Sequence, residues 1–242
     1  MTTLVFDLDG TLVDTAPDLL AAVNATLAAD GRDGVSRADL DHLVGRGGRA
    51  MLARAFAERG RELSDDKLDA MLPEFLARYR ATIPGASRPY PGVVAALERF
   101  AEWGHLLAVC TNKYEGLSRS LLDALELSDR FAAICGADTF DVRKPDPGHI
   151  LRTIEAAGGR ADDAVMIGDS INDIEAARRA GVPSIGVPYG YTDTPMVELA
   201  PDALVPGFDE IDDALIERLV GEHRLGGVGA PARVAVAGAQ GR

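Results

Sequence analysis

Short, continuously apolar runs recur along this chain, separated by amphipathic stretches. The runs fall at residues 4–6, 105–110, 131–137, 164–167 and 184–187, with 203–205 as a candidate sixth. Helical patterns lie between them at 93–103, 116–126, 147–157 and 172–180. A strand without polar alternation is buried on both faces, and strands alternating with helices build a parallel sheet covered on both sides. The expected fold class is α/β, a doubly wound, mainly parallel sheet.

One interval breaks this alternation. Residues 16–88 show no convincing strand, only helical patterns at 18–29, 36–59 and 64–79. Ser36 with Asp39, and Ser64 with Asp65 and Asp66 behind it, are helix-start signals. Residues 82–92 are dense in Pro and Gly and read as a linker. The expected organisation is a core of residues 1–15 and 89–220 with an all-helical insertion at 16–88. Its two connections at one end are placed to act as a hinge. Residues 221–242 are rich in Gly and Ala without periodicity, and are expected to form a disordered tail.

Composition narrows the partners. The 242 residues carry a net charge of −13, with 47% hydrophobic and 26% charged residues. That is globular composition, and so acidic a chain is poorly suited to a nucleic-acid backbone or an anionic membrane surface. No apolar run approaches the ~18 residues of a membrane span. The first residues meet two aspartates within ten positions and do not resemble a signal peptide. Cys110 and Cys135 share no CxxC spacing and sit in apolar runs, which reads as buried thiols in a reducing cytoplasm.

The chemistry is concentrated where strands end. The first strand runs into Asp7-Leu8-Asp9-Gly10-Thr11, and residues two apart in an extended chain face the same way. The fourth runs into Gly168-Asp169-Ser170-Ile171-Asn172-Asp173. Ligands of open α/β sheets bind beyond the carboxyl ends of the strands. Four carboxylates converging there would repel one another, and a hard divalent cation, Mg²⁺ by default, resolves the conflict. A single aspartate after a strand is often only a helix cap. Two acidic pairs, each between an apolar strand and a helix, form a more specific pattern.

Two further strand ends extend it. Thr111-Asn112-Lys113 offers a hydroxyl and backbone N–H groups as a phosphate seat, or ordinary helix caps. In Arg143-Lys144-Pro145-Asp146-Pro147, Asp146 caps a helix that starts with Pro147, and the prolines fix where Lys144 points. Lys144 is then either a solvated lysine or a cation held for phosphate. The set suits phosphoryl transfer, where positioning and charge stabilisation dominate. One carboxylate can attack phosphorus while the other carries a proton.

These residues closely resemble the haloacid dehalogenase superfamily. Its motifs stand here as DLDGTLVDT (residues 7–15), VCTNK (109–113), KPDP (144–147) and GDSIND (168–173), in the expected order. The resemblance covers roughly residues 1–215. It implies Asp7 as a nucleophile that forms an aspartyl-phosphate, and Asp9 as general acid and base with its backbone carbonyl on Mg²⁺. It implies Asp169 as a metal ligand, and Asp173 as a ligand through water or a partner that orients Lys144. Thr111, Asn112 and Lys144 would hold the phosphoryl group, and the insertion would be a cap that selects substrate.

Within the superfamily, Tyr90-Pro91-Gly92-Val93, Tyr189-Gly190-Tyr191 and the stretch Val44-Gly45-Arg46-Gly47-Gly48-Arg49 look like bacterial phosphoglycolate phosphatases. The implied substrate is 2-phosphoglycolate, a small phosphorylated carboxylate. Gly45 and Gly47 would let backbone approach it, and Arg46 or Arg49 would pair its carboxylate, unless the stretch is only a turn with solvated arginines. Dehalogenases of the superfamily lack the second aspartate, and phosphonate-cleaving members need an early cap lysine that residues 16–51 do not contain. Pyrophosphatases, sugar-phosphate phosphatases and mutases share the implied core. A phospho-receiver or regulatory module is the non-enzymatic alternative, but receivers are much shorter.

Overall fold

A computed structural model of the chain describes residues 1–40 and 47–225. Eight strands occur among the described residues: β1 (Thr3–Phe6), β2 (Val13–Asp14), β3 (Arg88–Pro89), β4 (Leu106–Cys110), β5 (Ala133–Cys135), β6 (Ala164–Gly168), β7 (Ser184–Gly186) and β8 (Ala203–Leu204). All but β2 and β3 join one sheet in the order β5-β4-β1-β6-β7-β8, every pair parallel. The helices are α1 (Ala16–Ala29), α2 (Arg37–Leu40), α3 (Gly48–Glu58), α4 (Asp65–Thr82), α5 (Val93–Glu102), α6 (Glu115–Ala124), α7 (Pro147–Ala156), α8 (Ile171–Ala180), α9 (Met196–Leu199) and α10 (Asp213–Leu225).

The all-apolar strands are buried on both faces, as their patterning requires. Along β1 the side chains alternate. Leu4 and Phe6 join Leu107, Val109, Val165 and Ile167 in one apolar layer, under Leu97 and Phe100 of α5 and Leu219 of α10. Val5 joins Met166 in the opposite layer, under Ile150 and Ile154 of α7 and Ala176 and Ala177 of α8. Phe6 stacks between Phe100 and Phe208, with ring centroids 6.2 and 6.1 Å away.

Helices α1, α3 and α4 gather around a second cluster that includes Leu19, Leu27, Leu52, Phe56, Phe75 and Tyr79. Ser64 caps α4, accepting from the Lys67 N–H, and the Ser36 N–H and hydroxyl both donate to Asp39 at the start of α2. The helix expected over 36–59 is interrupted. Gly47, at φ +87°, sets the chain direction into α3, a conformation L-residues rarely adopt.

The stretch read as a linker contains β3, which pairs antiparallel with β2, Val13 opposite Pro89 and Asp14 opposite Arg88. The two connections to the helical insertion are therefore joined to each other. The third sheet strand is shorter than 131–137, because a 3₁₀ turn precedes it and the Gly136 N–H turns to Thr139 Oγ1. The tail expectation is corrected for residues 221–225, which lie in α10. Burial of Ile216, Leu219 and Val220 on one face seats that helix through Gly221. Residues 226–242 lie outside the described ones. Among the described residues, no helix is long and apolar enough to cross a membrane.

Asp18, buried on α1, clamps the far end of the second connection. Its carboxylate accepts from the N–H groups of Ala86 and Ser87 and from the Ser87 hydroxyl, at 2.9, 3.0 and 2.5 Å. Asp18→Ala leaves the buried N–H and hydroxyl of Ser87 without their acceptor. It should lower stability by about 3 kcal/mol, read as a reduced urea midpoint.

Candidate active site

The sheet register builds the site. Phe6 lies opposite Val109 of β4 on one side and Ile167 of β6 on the other. One residue further on, Asp7 emerges between the ends of both neighbours, and its N–H still donates to the Ile167 carbonyl at 3.0 Å. The Leu8 N–H donates to Asp7 Oδ1 at 2.7 Å. The chain then turns at Gly10, φ +86°, where a Cβ would run into the Asp169 carboxylate.

Asp169 is held by neutral donors. Thr11 Oγ1 reaches its Oδ1 at 2.7 Å, and the Tyr191 N–H reaches its Oδ2 at 2.7 Å. Asp173 opens α8: the N–H and hydroxyl of Ser170 both donate to its Oδ2, at 3.0 and 2.7 Å. Its Oδ1 accepts from Lys144 Nζ at 2.6 Å, and the same ammonium lies 3.0 Å from Asp7 Oδ1. Lys144 is aimed from just before α7, where the Asp146 side chain accepts from the Gly148 N–H and Pro147 starts the helix.

The charges are out of balance. Asp7, Asp169 and Asp173 are all buried, with ligand oxygens within 4.8 Å of one another. Burial, opposed by Lys144 and reinforced by Asp173 and Asp9, pushes the Asp7 carboxyl up to about 6. Burial and the neighbouring Asp7 and Asp173 push Asp169 well above the carboxylate range. Burial alone would lower Lys144, but Asp173 and Asp7 outweigh it and hold the ammonium above its ordinary value. Three carboxylates against one ammonium form a hard-oxygen donor set with excess negative charge. That donor set fits a divalent cation of the Mg²⁺ type.

Asp9 stands to one side. Lys113 Nζ donates to both its carboxylate oxygens, at 2.8 and 2.9 Å, and Thr15 Oγ1 donates to Oδ1 at 2.7 Å. Its carboxylate is thus outside the acidic trio, so the expected metal contact of Asp9 rests on its backbone carbonyl alone. Asp7, Asp9, Thr111 and Asn112 line a cavity of about 40 Å³, on the order of three waters. Its other wall comes from the helical insertion, including Gly47, Met51, Phe75 and Tyr79. Thr111 Oγ1 accepts from the Lys113 N–H at 3.2 Å, and Asn112 Nδ2 donates to the Lys144 carbonyl at 3.0 Å.

The structure therefore gathers Asp7, Asp169, Asp173 and Lys144 in one cluster, with Asp9, Thr111, Asn112 and Gly47 around the adjoining cavity. Arg49 is elsewhere. Its guanidinium donates to Asp65 and Asp69 on the first turns of α4, both at 2.7 Å, and it does not line the cavity. In this structure Arg49 therefore faces the acidic start of α4 rather than the cavity. Gly45 and Arg46 lie outside the described residues. Lys113, Thr11, Thr15 and Tyr191 join the site beyond the residues expected from the sequence. Lys113 follows Thr111 by two positions, and that spacing was its available signal. The two cysteines are free and buried, facing each other across β4 and β5.

The chain is similar to known proteins. The model of the haloacid dehalogenase-like hydrolases matches residues 4–187, and the chain belongs to that family. It is 55% identical over 216 residues to the phosphoglycolate phosphatase of Agrobacterium fabrum, covering 89% of this chain and 93% of that protein. It is 51% identical to the phosphoglycolate phosphatase of Mesorhizobium japonicum, covering 90% and 96%. A crystal structure described as a predicted phosphoglycolate phosphatase from Haemophilus somnus superposes with a TM-score of 0.80 at 30% identity, covering 86% of this chain and 95% of that one. A β-phosphoglucomutase from Clostridium difficile, at 20% identity and a TM-score of 0.75, shares the fold.

Behind the cluster, the Lys144 N–H donates to Nδ1 of buried His149 at 3.2 Å. Burial, and then the Lys144 charge, push this imidazole down to about 4 from 6.5. Protonation would also remove the acceptor. A depressed histidine leaves the fold intact above pH 6.5 and weakens it as pH falls towards 4, because the unfolded chain takes up the proton first. His149→Gln should remove about 3 kcal/mol of that acid-side loss relative to the parent. Urea unfolding of both proteins at pH 7 and pH 4.5 checks it; parallel stability profiles would refute it.

Proposed function

We propose that this protein hydrolyses 2-phosphoglycolate to glycolate and phosphate in two steps at Asp7, with Mg²⁺ as its metal. The observation that carries the reading is Asp7 itself. It sits buried at the head of β1, beside Lys144 and within reach of Asp169 and Asp173, and it opens on a cavity lined by Thr111 and Asn112. The names of the relatives supply the substrate.

Mg²⁺ would be held by the carboxylates of Asp7 and Asp169 and the backbone carbonyl of Asp9, with Asp173 behind. When bound, it supplies positive charge that offsets the carboxylates and the phosphoryl oxygens. Asp7 attacks phosphorus and forms an aspartyl-phosphate, while Asp9 gives a proton to the departing glycolate oxygen. Asp9 then takes a proton from water, which attacks phosphorus and frees Asp7 and phosphate. Lys144 holds Asp7 and Asp173 in place, and Thr111 and Asn112 hold the transferring group. Residues 16–88 act as a cap that encloses the substrate, and the paired strands β2 and β3 carry it.

Turnover of a phosphoester panel with Mg²⁺ tests this directly. Among 2-phosphoglycolate, pyrophosphate and sugar phosphates, the first should give the highest kcat/KM. Asp7→Asn keeps the shape of the side chain and removes the attacking oxygen, so kcat should fall on the order of a thousandfold or more. Preference for pyrophosphate, or an Asp7→Asn enzyme close to the parent, rejects the proposal.

The metal has a test that does not depend on turnover. At Mg²⁺ about a hundredfold above its dissociation constant, the chelator-treated protein should gain about 3 kcal/mol, a rise in Tm of roughly 5–10 °C. Asp169→Asn should abolish that rise in calorimetry.

A further inference from the structure

A leaving group with a carboxylate needs a cation in the cavity, and the chain's net charge of −13 offers no general attraction. Among the described residues that line the cavity, Lys113 is the one cation. Its side chain is only 4% exposed. Asp9 meets it on one side, and the Tyr79 ring of α4 lies 4.5 Å from its Nζ. The wall contributed by Leu19, Met51, Phe75 and Leu76 is apolar and offers a carboxylate no side-chain donor. Arg49 is taken by Asp65 and Asp69.

We propose that Lys113 is the specificity-determining residue for the substrate's carboxylate, its ammonium bridging Asp9 and that carboxylate beneath the Tyr79 ring. An ammonium donates up to three hydrogen bonds, so it can hold both groups at once. A single side chain would then set the leaving group against Asp9, the residue that must reach the glycolate oxygen. The Tyr79 ring favours the charge through its π face and brings α4 into the same contact. This role rests on the phosphoglycolate reading of the site.

The test is a ratio. kcat/KM is measured for 2-phosphoglycolate and for 2-hydroxyethyl phosphate, which replaces the carboxylate by a hydroxymethyl group, in the parent protein, Lys113→Met and Arg46→Ala. Any damage to Asp9 lowers both substrates alike and cancels. The preference for 2-phosphoglycolate should fall about tenfold to a hundredfold in Lys113→Met. Lys113→Arg, which keeps the charge, should retain most of it. Lys113→Gln, which keeps the stem and a polar end without charge, should lose it and serves if the Met variant does not fold. An unchanged ratio in the uncharged variants, or a ratio lost only in Arg46→Ala, overturns the proposal. A parent enzyme that favours another phosphoester over 2-phosphoglycolate rejects the substrate reading separately, and the ratio between the two esters still decides the role of Lys113.

Discussion

Asp7, Asp169 and Asp173 meet in the buried floor of this protein, and the ammonium of Lys144 bonds two of them at once. Like charges at such separations repel by several kcal/mol even at an effective dielectric constant of about 20. The surrounding backbone is shaped to hold them together. Asp173 is fixed by two donors from Ser170, which also start α8. Lys144 is fixed by its neighbours at the start of α7, by Asn112 on its carbonyl and by His149 on its N–H. Two helix starts and two strand ends are thus locked by the same four charges. Breaking one partner of such a buried pair generally costs about 3–5 kcal/mol, because the other is left charged and unpaired. The strain that remains on Asp7 and Asp169 is electrostatic, a surplus of negative charge suited to a cation.

The sheet register decides which residues can take part. Parallel pairing of β1 with β4 and β6 puts the residues after Phe6, Val109 and Ile167 side by side. A slip of one residue would turn each side chain to the opposite face and scatter Asp7, Thr111 and Asp169. The apolar layers on both faces oppose such a slip, since Leu4 and Phe6 must stay under α5 while Val5 stays under α7. The core therefore positions the chemistry as well as supplying stability.

That relation explains what the sequence made legible. Asp7, Asp169, Thr111 and Lys144 are legible in the sequence because each follows a strand pattern or precedes a helix signal. Their meeting follows from a parallel sheet, which the patterning also reveals. Contacts between distant polar side chains leave no such trace. The Lys113–Asp9 pair joins residues 104 positions apart, and Thr11 reaches Asp169 across 158. The ion pairs of Arg49 with Asp65 and Asp69 are not legible in the sequence, because those carboxylates come from the next helix and meet it only once α3 and α4 pack together. The β2–β3 pair leaves no sequence signal, because two residues per strand carry no period and Pro89 reads first as a breaker. In α10 the buried face outweighed the glycine at 221, whose cost in a helix is about 1 kcal/mol.

Tyr191 shows how the acidic cluster and the helical insertion share one set of contacts. Its N–H binds Asp169, its hydroxyl donates to Asp14 at 2.6 Å, and the Ala16 N–H at the start of α1 donates to that hydroxyl at 3.0 Å. Asp14 also pairs with Arg37 of α2 at 3.0 Å. A chain of single contacts therefore runs from the carboxylate of Asp169 to the first two helices of the insertion. On the second connection, Asp18 grips Ala86 and Ser87. The Tyr191 hydroxyl thus anchors the first turn of α1, and the N–H of the same residue holds Asp169. In this geometry, one tyrosine touches both the acidic site, through its backbone N–H, and the start of the helical insertion, through its hydroxyl.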